Sequence, residues 1–275
     1  VRQYKPDIVL AQLSQYKVTL FAGGPSTVYV GLLAAESMQP ADLRHLKICL
    51  AGGAPCSEDL LRIWAERTGC AILEGIGMSE GAPYANNPAA GARKVLSVGL
   101  PPPETDVEVV DLQNGTRVLA VFERGEIRVR GPQMVSSYRN RPDETAHTIR
   151  SGWVYTGDIG YFDDEGYLFV VDRKKELIIS GGYNIHPREV DEVLNSHPDT
   201  LEVATVGMKD SFRGEIPVAF VALKPGRSVS AETLIEYCTQ RLVEYKVPRR
   251  IEFRDALPKT GAGKIDKLKL RGLRD

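Results

Sequence analysis

Apolar and polar positions follow three different rhythms along this chain, with changes near residues 94 and 174. In the first ninety residues, short apolar runs end in glycine. Residues 18–21 (Val-Thr-Leu-Phe) run to Gly23-Gly24-Pro25, and 48–50 (Ile-Cys-Leu) run to Gly52-Gly53-Ala54-Pro55. Both read as strands closed by tight turns. Ser57 then caps a predicted helix, with Glu58 and Asp59 in its first turn and Leu60, Leu61 and Trp64 on its apolar face. Strand, Gly-rich turn and helix in repetition predict a doubly wound α/β layer with ligands at the strand ends.

From about 95 to 171 the period falls towards two. Residues 107–111 and 126–130 alternate or nearly so, with Asn114-Gly115 and Arg124-Gly125 as turn signals. Asp163-Asp164-Glu165-Gly166 joins Tyr161-Phe162 to the apolar run 167–170, which predicts a hairpin. After residue 175 helices return. Pro187 suits a helix's first position, with Val190, Val193 and Leu194 on one face. Residues 203–208 and 218–223 read as strands. Ser230 caps a helix with Leu234, Ile235, Cys238 and Leu242 inward, ending before Pro248. The predicted organisation is therefore α/β over 1–94, β-rich over 95–171 and a small α+β domain over 175–275. No repeat of 20–50 residues is present.

Composition narrows the function classes. Of 275 residues, 43% are hydrophobic and 26% charged, the balance of a globular protein with material for a large core. With 35 basic and 36 acidic residues the net charge is −1, so bulk charge predicts neither nucleic-acid nor membrane binding. From 241 to 275, however, 11 Lys or Arg stand against 5 Asp or Glu, a tail suited to a solvated surface or to a polyphosphate. The four cysteines (49, 56, 70 and 238) form no C-x-x-C pair and have no zinc spacing, which suits a reducing, cytoplasmic setting. No apolar run is long enough to span a membrane.

Two motifs fail on inspection. Gly77-Met78-Ser79-Glu80-Gly81 matches the G-x-S-x-G nucleophile elbow, but that motif needs a helix straight after the Ser. Pro83 and Pro88 forbid one here. Residues 258–264 (Pro-Lys-Thr-Gly-Ala-Gly-Lys) look like a phosphate loop, yet Pro stands at the first Gly position and Ile265 follows the Lys. What remains is Lys264 on a Gly-rich loop, able to bring a point charge to a developing anion.

Taken together, four blocks carry a resemblance. Glu74-Gly75-Ile76-Gly77-Met78-Ser79-Glu80 resembles the Y-G-M-T-E block of the adenylate-forming (AMP-binding) superfamily. Gly152-Trp153-Val154-Tyr155-Thr156-Gly157-Asp158 resembles its G-W-x-x-T-G-D block. Residues 171–178 (Val-Asp-Arg-Lys-Lys-Glu-Leu-Ile) are similar to its hinge, and 257–264 to its closing P-K-T-x-x-G-K. Order and spacing also match, through essentially the whole chain. Met78-Ser79-Glu80 in place of P-T-E, and Gly181-Gly182-Tyr183-Asn184-Ile185-His186-Pro187 after the hinge, are similar to the acyl-CoA synthetase branch.

The resemblance implies the C-terminal part of the large adenylate-forming domain over 1–174, followed by a mobile lid domain over 175–275. It implies ATP-dependent activation of a carboxylic acid through an acyl-adenylate, then transfer to the thiol of CoA. By the same route, Glu80 holds Mg²⁺ and Ser79 touches phosphate. Gly52, Gly53 and Ala54, with Glu74, Gly75, Ile76 and Gly77, line the adenine of ATP or AMP. Asp158 binds the ribose hydroxyls, Arg173 binds ribose or phosphate, and Lys264 stabilises the adenylation transition state. Lys175 is the pivot, and Gly181 and Gly182 line the CoA channel. Ile76 replaces an aromatic that stacks on adenine, and Ser79 replaces the commoner Thr.

The family's Ser/Thr/Gly-rich phosphate loop is not found in these 275 residues, and most of the acyl pocket is expected with it, upstream of Val1. The expectation is therefore an incomplete chain, inactive alone, whose parent is the enzyme. An adenylation domain that loads a carrier-protein phosphopantetheine and a non-catalytic nucleotide-binding piece are the other readings. Neither the acid nor the oligomeric state is legible.

A pivot must change φ and ψ freely, which a proline ring forbids. Lys175→Pro in the full-length parent is therefore expected to slow thioester formation far more than adenylation. Single-turnover measurement of each half-reaction checks this; unchanged transfer from a preformed adenylate would place the pivot elsewhere.

Overall fold

The structure, a computed structural model, describes residues 4–39, 43–261 and 264–272. These fall into two compact units. One is built from the chain up to Thr156 with Gly160–Val170, the other from Gly157–Ile159 with Val171 onward.

The first unit begins with α1 (Pro6–Gln15), β1 (Leu20–Gly24), α2 (Ser26–Ala34), β2 (Ile48–Ala51), α3 (Glu58–Thr68), β3 (Ile72–Met78) and β4 (Gly81–Asn86). The sheet order is β1-β2-β3-β4; β1–β2 and β2–β3 are parallel, and β4 returns antiparallel to β3. Pro83 thus lies on an edge strand, where a missing N–H is tolerated, instead of in a helix. The Ser57 side chain accepts the Leu60 N–H at 3.3 Å, and Gly69 in the left-handed region ends α3. Leu10, Leu13, Tyr29, Leu32, Leu60 and Trp64 share one core with Cys49 and Ala51 of β2. Tyr29 meets Trp64 edge-on at 4.9 Å and donates its hydroxyl to the Leu50 carbonyl at 2.7 Å.

A second sheet holds β5 (Asp106–Val110), β6 (Gly125–Arg130), β7 (Ile149–Arg150), β8 (Trp153–Phe162) and β9 (Leu168–Arg173), with α4 (Pro142–Thr148) between β6 and β7. Its order is β5-β6-β8-β7, and β9 pairs with β8. The predicted hairpin is present: Asp163 Oδ1 accepts the N–H groups of Glu165 and Tyr167 at 3.1 and 2.8 Å.

The second unit contains β10 (Ile178–Ser180), β11 (Tyr183–Ile185), α5 (Pro187–Asn195), β12 (Thr200–Asp210), β13 (Gly214–Leu223), α6 (Ala231–Thr239), β14 (Arg250–Phe253) and α7 (Lys267–Leu270). The order is β11-β10-β13-β12, with β14 parallel to β13. β13 is buried on both faces, which is why its sequence is a continuous apolar run. Ala219 and Val221 face Val190, Leu194, Leu234 and Cys238 of the two long helices. Val218, Phe220 and Ala222 face Leu257, with Ile265 and Leu270 of the closing segment. Ser230 caps α6 as expected, accepting the Thr233 N–H at 3.1 Å. Leu242, however, lies beyond the helix. The amides of Arg241 and Leu242 share the Cys238 carbonyl, which closes α6 at Thr239, and Leu242 packs on the core from the turn that follows.

Gly99 holds β4 to the second sheet. It pairs with Leu168, its neighbour Leu100 pairs with Asn86, and its φ is +94°. A Cβ there would stand 1.9 Å from the Asn86 carbonyl carbon. Gly99→Ala is expected to cost at least about 3 kcal/mol, since backbone and not a side chain must yield. Denaturant unfolding measures it, and a midpoint equal to wild type would contradict the close approach.

Candidate functional site

In the first unit, the predicted adenine-lining residues gather at the carboxyl ends of the parallel strands. Ala51 of β2 pairs with Glu74 of β3, so Gly52-Gly53-Ala54 leave the sheet beside Gly75. The Gly52 N–H donates to the Gly24 carbonyl at 3.0 Å, which ties the turns after β1 and β2 together. The backbone approach is tight: a Cβ on Gly75 would lie 2.3 Å from Asn86 Oδ1, and one on Gly52 would lie 3.0 Å from the Gly75 carbonyl oxygen. Open backbone at strand ends is where α/β sheets bind ligands.

Glu74 is buried, and its Oε1 accepts the Cys56 N–H at 2.9 Å. Its carboxylate therefore fastens the 52–56 turn to β3. Burial, and then the Glu74 charge, push the Cys56 thiol up to about 12, so this cysteine is no nucleophile at neutral pH. Ile76 packs with Tyr84, Ala85 and Ile127 in the core of the second sheet, while Gly77 is exposed.

Ser79 and Glu80 are the two turn residues of the β3–β4 hairpin, between the paired Met78 and Gly81. Ser79 is exposed. Glu80 is half-buried; its Oε1 accepts the Tyr138 hydroxyl at 2.6 Å and its carbonyl accepts the Val135 N–H at 2.7 Å. Burial and the bond to Glu80 both raise the Tyr138 hydroxyl above its ordinary pKa, so it stays a donor. The result is one carboxylate held at a hairpin tip. No group of three or more His, Cys, Asp or Glu among the described residues could hold a metal. A lone carboxylate still fits Mg²⁺, which takes one or two from protein and the rest from phosphate and water.

The second unit gathers the others. Asp158 of β8 and Arg173 of β9 are 3.4 Å apart, carboxylate to guanidinium. Asp172, beside them, is buried; its Oδ1 accepts the Arg173 N–H at 2.7 Å and its Oδ2 the Arg188 N–H at 3.2 Å. Burial pushes its carboxyl up, against the pull of those amides and of Lys267. Lys175 is exposed, in a one-turn 3-10 helix, Lys174–Glu176. Gly181 and Gly182, with φ of +56° and +85°, are the two central residues of the β10–β11 hairpin, so turn geometry alone demands them. Lys264 is exposed, on a loop whose stems are joined by the Thr260 N–H to the Lys264 carbonyl at 2.7 Å.

Sequence reasoning missed Tyr138, the structural bond of Glu74, and the roles of Asp172 and Lys267. Glu74 bonds to a residue 18 positions away, Asp172 to one 16 away, and Lys267 to two that are 76 and 91 away, so none of these partners has a local signature.

The family of AMP-binding enzymes matches residues 1–139, and the AMP-binding enzyme C-terminal domain matches residues 189–264. The chain belongs to this adenylate-forming family, in its acyl-CoA synthetase branch. Over 264 residues it is 43% identical to a long-chain-fatty-acid–CoA ligase of Bacillus subtilis, covering 96% of this chain and 47% of that one. Over 270 residues it is 40% identical to a feruloyl-CoA synthase of an Amycolatopsis species, covering 98% and 54%. The ATP-bound crystal structure of MatB from Rhodopseudomonas palustris aligns with a TM-score of 0.93 at 30% identity, over 99% of this chain and 54% of that one. The chain spans about half the length of the curated relatives it matches.

Glu74→Ala leaves the Cys56 N–H buried without its acceptor and is expected to cost about 1–3 kcal/mol, whereas Glu74→Gln, which keeps an acceptor oxygen, costs less. Thermal or urea unfolding distinguishes them; equal stabilities would show that the 52–56 turn does not depend on this carboxylate.

Proposed function

We propose that the parent of this chain activates a carboxylic acid with ATP and passes the acyl group to the thiol of CoA. The observation that carries the reading is the pairing of Asp158 with Arg173. These are the two residues assigned to ribose and phosphate, and they meet across neighbouring strands at 3.4 Å. Family membership and CoA-ligase relatives at 40–43% identity support it further.

In the first half-reaction a carboxylate oxygen attacks the α-phosphorus of ATP, the bond to the β-phosphate breaks, and pyrophosphate leaves. Like charges meet in that step, so positive groups must be in place beforehand. Lys264 supplies an ammonium to the developing charge, and Arg173 a guanidinium to ribose or phosphate. Glu80 would hold Mg²⁺, which neutralises phosphate charge when bound. The Asp158 carboxylate accepts from the ribose hydroxyls, and the backbone of Gly52-Gly53-Ala54, with that of Gly75, Ile76 and Gly77, faces the base. In the second half-reaction the CoA sulfur attacks the acyl carbon, its proton passes to solvent, and AMP leaves. Lys175 is the pivot between the two steps, and the Gly181-Gly182 turn faces the thiol channel. The named relatives act on aliphatic and aromatic acids alike, so the acid is to be found with a panel of both.

Lys264→Ala in the full-length protein is expected to lower adenylation by about 10²-fold or more while leaving thioester formation from supplied acyl-adenylate within a few-fold. Acid-dependent pyrophosphate exchange and thioester release measure the two. Equal losses in both would make Lys264 a structural or shared residue.

A further inference from the structure

One group of charges in the second unit is left without a part in this chemistry. Lys267, the first residue of α7, extends its ammonium to Glu176 Oε2 at 3.1 Å and to Asp191 Oδ2 at 3.5 Å. Glu176 ends the 3-10 turn that holds the pivot residue Lys175, and Asp191 lies in the middle of α5. Asp191 also accepts the Thr205 N–H of β12 at 2.6 Å. Burial pushes its carboxyl up to about 6, while Lys267 draws it down and Asp172 raises it. Burial alone would pull the Lys267 ammonium down; Asp191, Glu176 and Asp172 outweigh it and hold the residue above its ordinary value. One half-buried ammonium therefore stands among three carboxylates from three separate elements.

From Lys267 a ladder of backbone links leads to Lys264. Asp266 caps α7, accepting the N–H groups of Leu268 and Lys269 at 3.2 Å, and its own N–H donates to the Pro258 carbonyl at 2.8 Å. Lys259 and Ile265 form the next rung, and Thr260 and Lys264 the last. Leu257, Ile265 and Leu270 root the same segment in the apolar face of β12 and β13. The backbone of Lys264 is thus fixed relative to Lys267, and Lys267 is fixed relative to the pivot turn.

We propose that Lys267 is a positioning residue for adenylation: by pinning α7 between Glu176 and Asp191, it sets where the loop bearing Lys264 leaves the small unit and ties that loop to the pivot. This rests on the reading of Lys264 given above. A surface ion pair would be too weak to hold a loop, but here both partners are largely buried and removing the cation leaves carboxylates facing one another. A catalytic ammonium displaced by about 1 Å loses on the order of 10²-fold in rate, so a tether of this kind acts on turnover more than on substrate binding.

The test uses the full-length protein and four variants. Lys267→Met/Asp191→Asn breaks the tether without leaving Asp191 charged and unpaired. Lys267→Arg keeps the cation. Glu176→Gln loosens only the pivot side. Lys264→Ala is the reference for the catalytic lysine. Acid-dependent pyrophosphate exchange is expected to fall at least about tenfold in kcat for the double variant, with KM for ATP within about threefold. It falls by a smaller factor for Glu176→Gln and stays near wild type for Lys267→Arg, and thioester formation from supplied adenylate holds within about threefold in the double variant. A folded double variant with unchanged kcat overturns the proposal, as does a loss confined to KM or shared equally by both half-reactions. Should the double variant not fold, the kcat of Glu176→Gln decides alone, and equality with wild type overturns it. If Lys264→Ala exchanges normally, the functional reading falls and the positioning role with it. If Lys264→Ala is inactive and the Lys267 and Glu176 variants match wild type, only the positioning role falls.

Discussion

A carboxylate taken out of water must find its donors within the chain, and in the second unit Asp172 finds two backbone amides. One belongs to Arg173, at the end of β9; the other belongs to Arg188, in the first turn of α5. The start of a helix presents unpaired N–H groups and the positive end of its dipole, so a buried acid there is satisfied and the helix is capped in one contact. That contact fixes the direction in which the chain leaves β9, and with it the place of the 3-10 turn that follows. α5 in turn presents Asp191 to the Thr205 amide of β12 and to Lys267 of α7. The pivot turn, one helix, one strand and the closing segment are joined through buried acids, and the apolar packing of α5 and α6 on β13 supplies the bulk around them.

The first unit meets its demands differently, by close backbone approach. Gly52 and Gly75 bring the ends of β2 and β3 together, and the Glu74 carboxylate locks the 52–56 turn from beneath. What faces outward is main chain, suited to the edge of a flat base. One hairpin turn further on, Glu80 is aimed by Tyr138. The turn fixes the backbone of Glu80, and the phenol's hydrogen bond fixes where one carboxylate oxygen points. Rigid placement of a single charge matters for a carboxylate whose expected partner brings its other ligands along.

Much of this was legible in the sequence, for identifiable reasons. Ser57, Ser230 and Pro187 start helices by local chemistry, so the caps named the elements correctly. The apolar run at 218–223 and the Asp163 turn are also short-range signals. The helices over 6–15, 26–34 and 142–148 were not read. α2 is apolar nearly all round and α4 buries none of its residues, so neither shows the amphipathic period on which such a reading depends. The β1 strand starts two residues later than its apolar run suggests and runs into the glycines, because pairing with β2 continues there. Within the site, the blocks gave the residues but not their partners. Nothing near Glu74 announces Cys56 as its donor, and nothing near Lys267 announces Glu176, 91 positions earlier. Tertiary bonds between distant charges leave no period in the sequence. The glycines show the opposite limit: Gly181 and Gly182 look like a channel lining in sequence, and the hairpin requires both whatever else they face.

Which phosphate bond of ATP the full-length protein breaks, if the proposed reaction is its own, is the most direct test of that proposal. Incubating the full-length protein with ATP labelled at the α-phosphate, CoA and a panel of fatty and aromatic acids, then separating the nucleotides, reads that directly. Labelled AMP in equal amount with acyl-CoA, formed only when an acid is supplied, is the expected result. Labelled ADP as the product, or AMP released at the same rate without any acid, would contradict it.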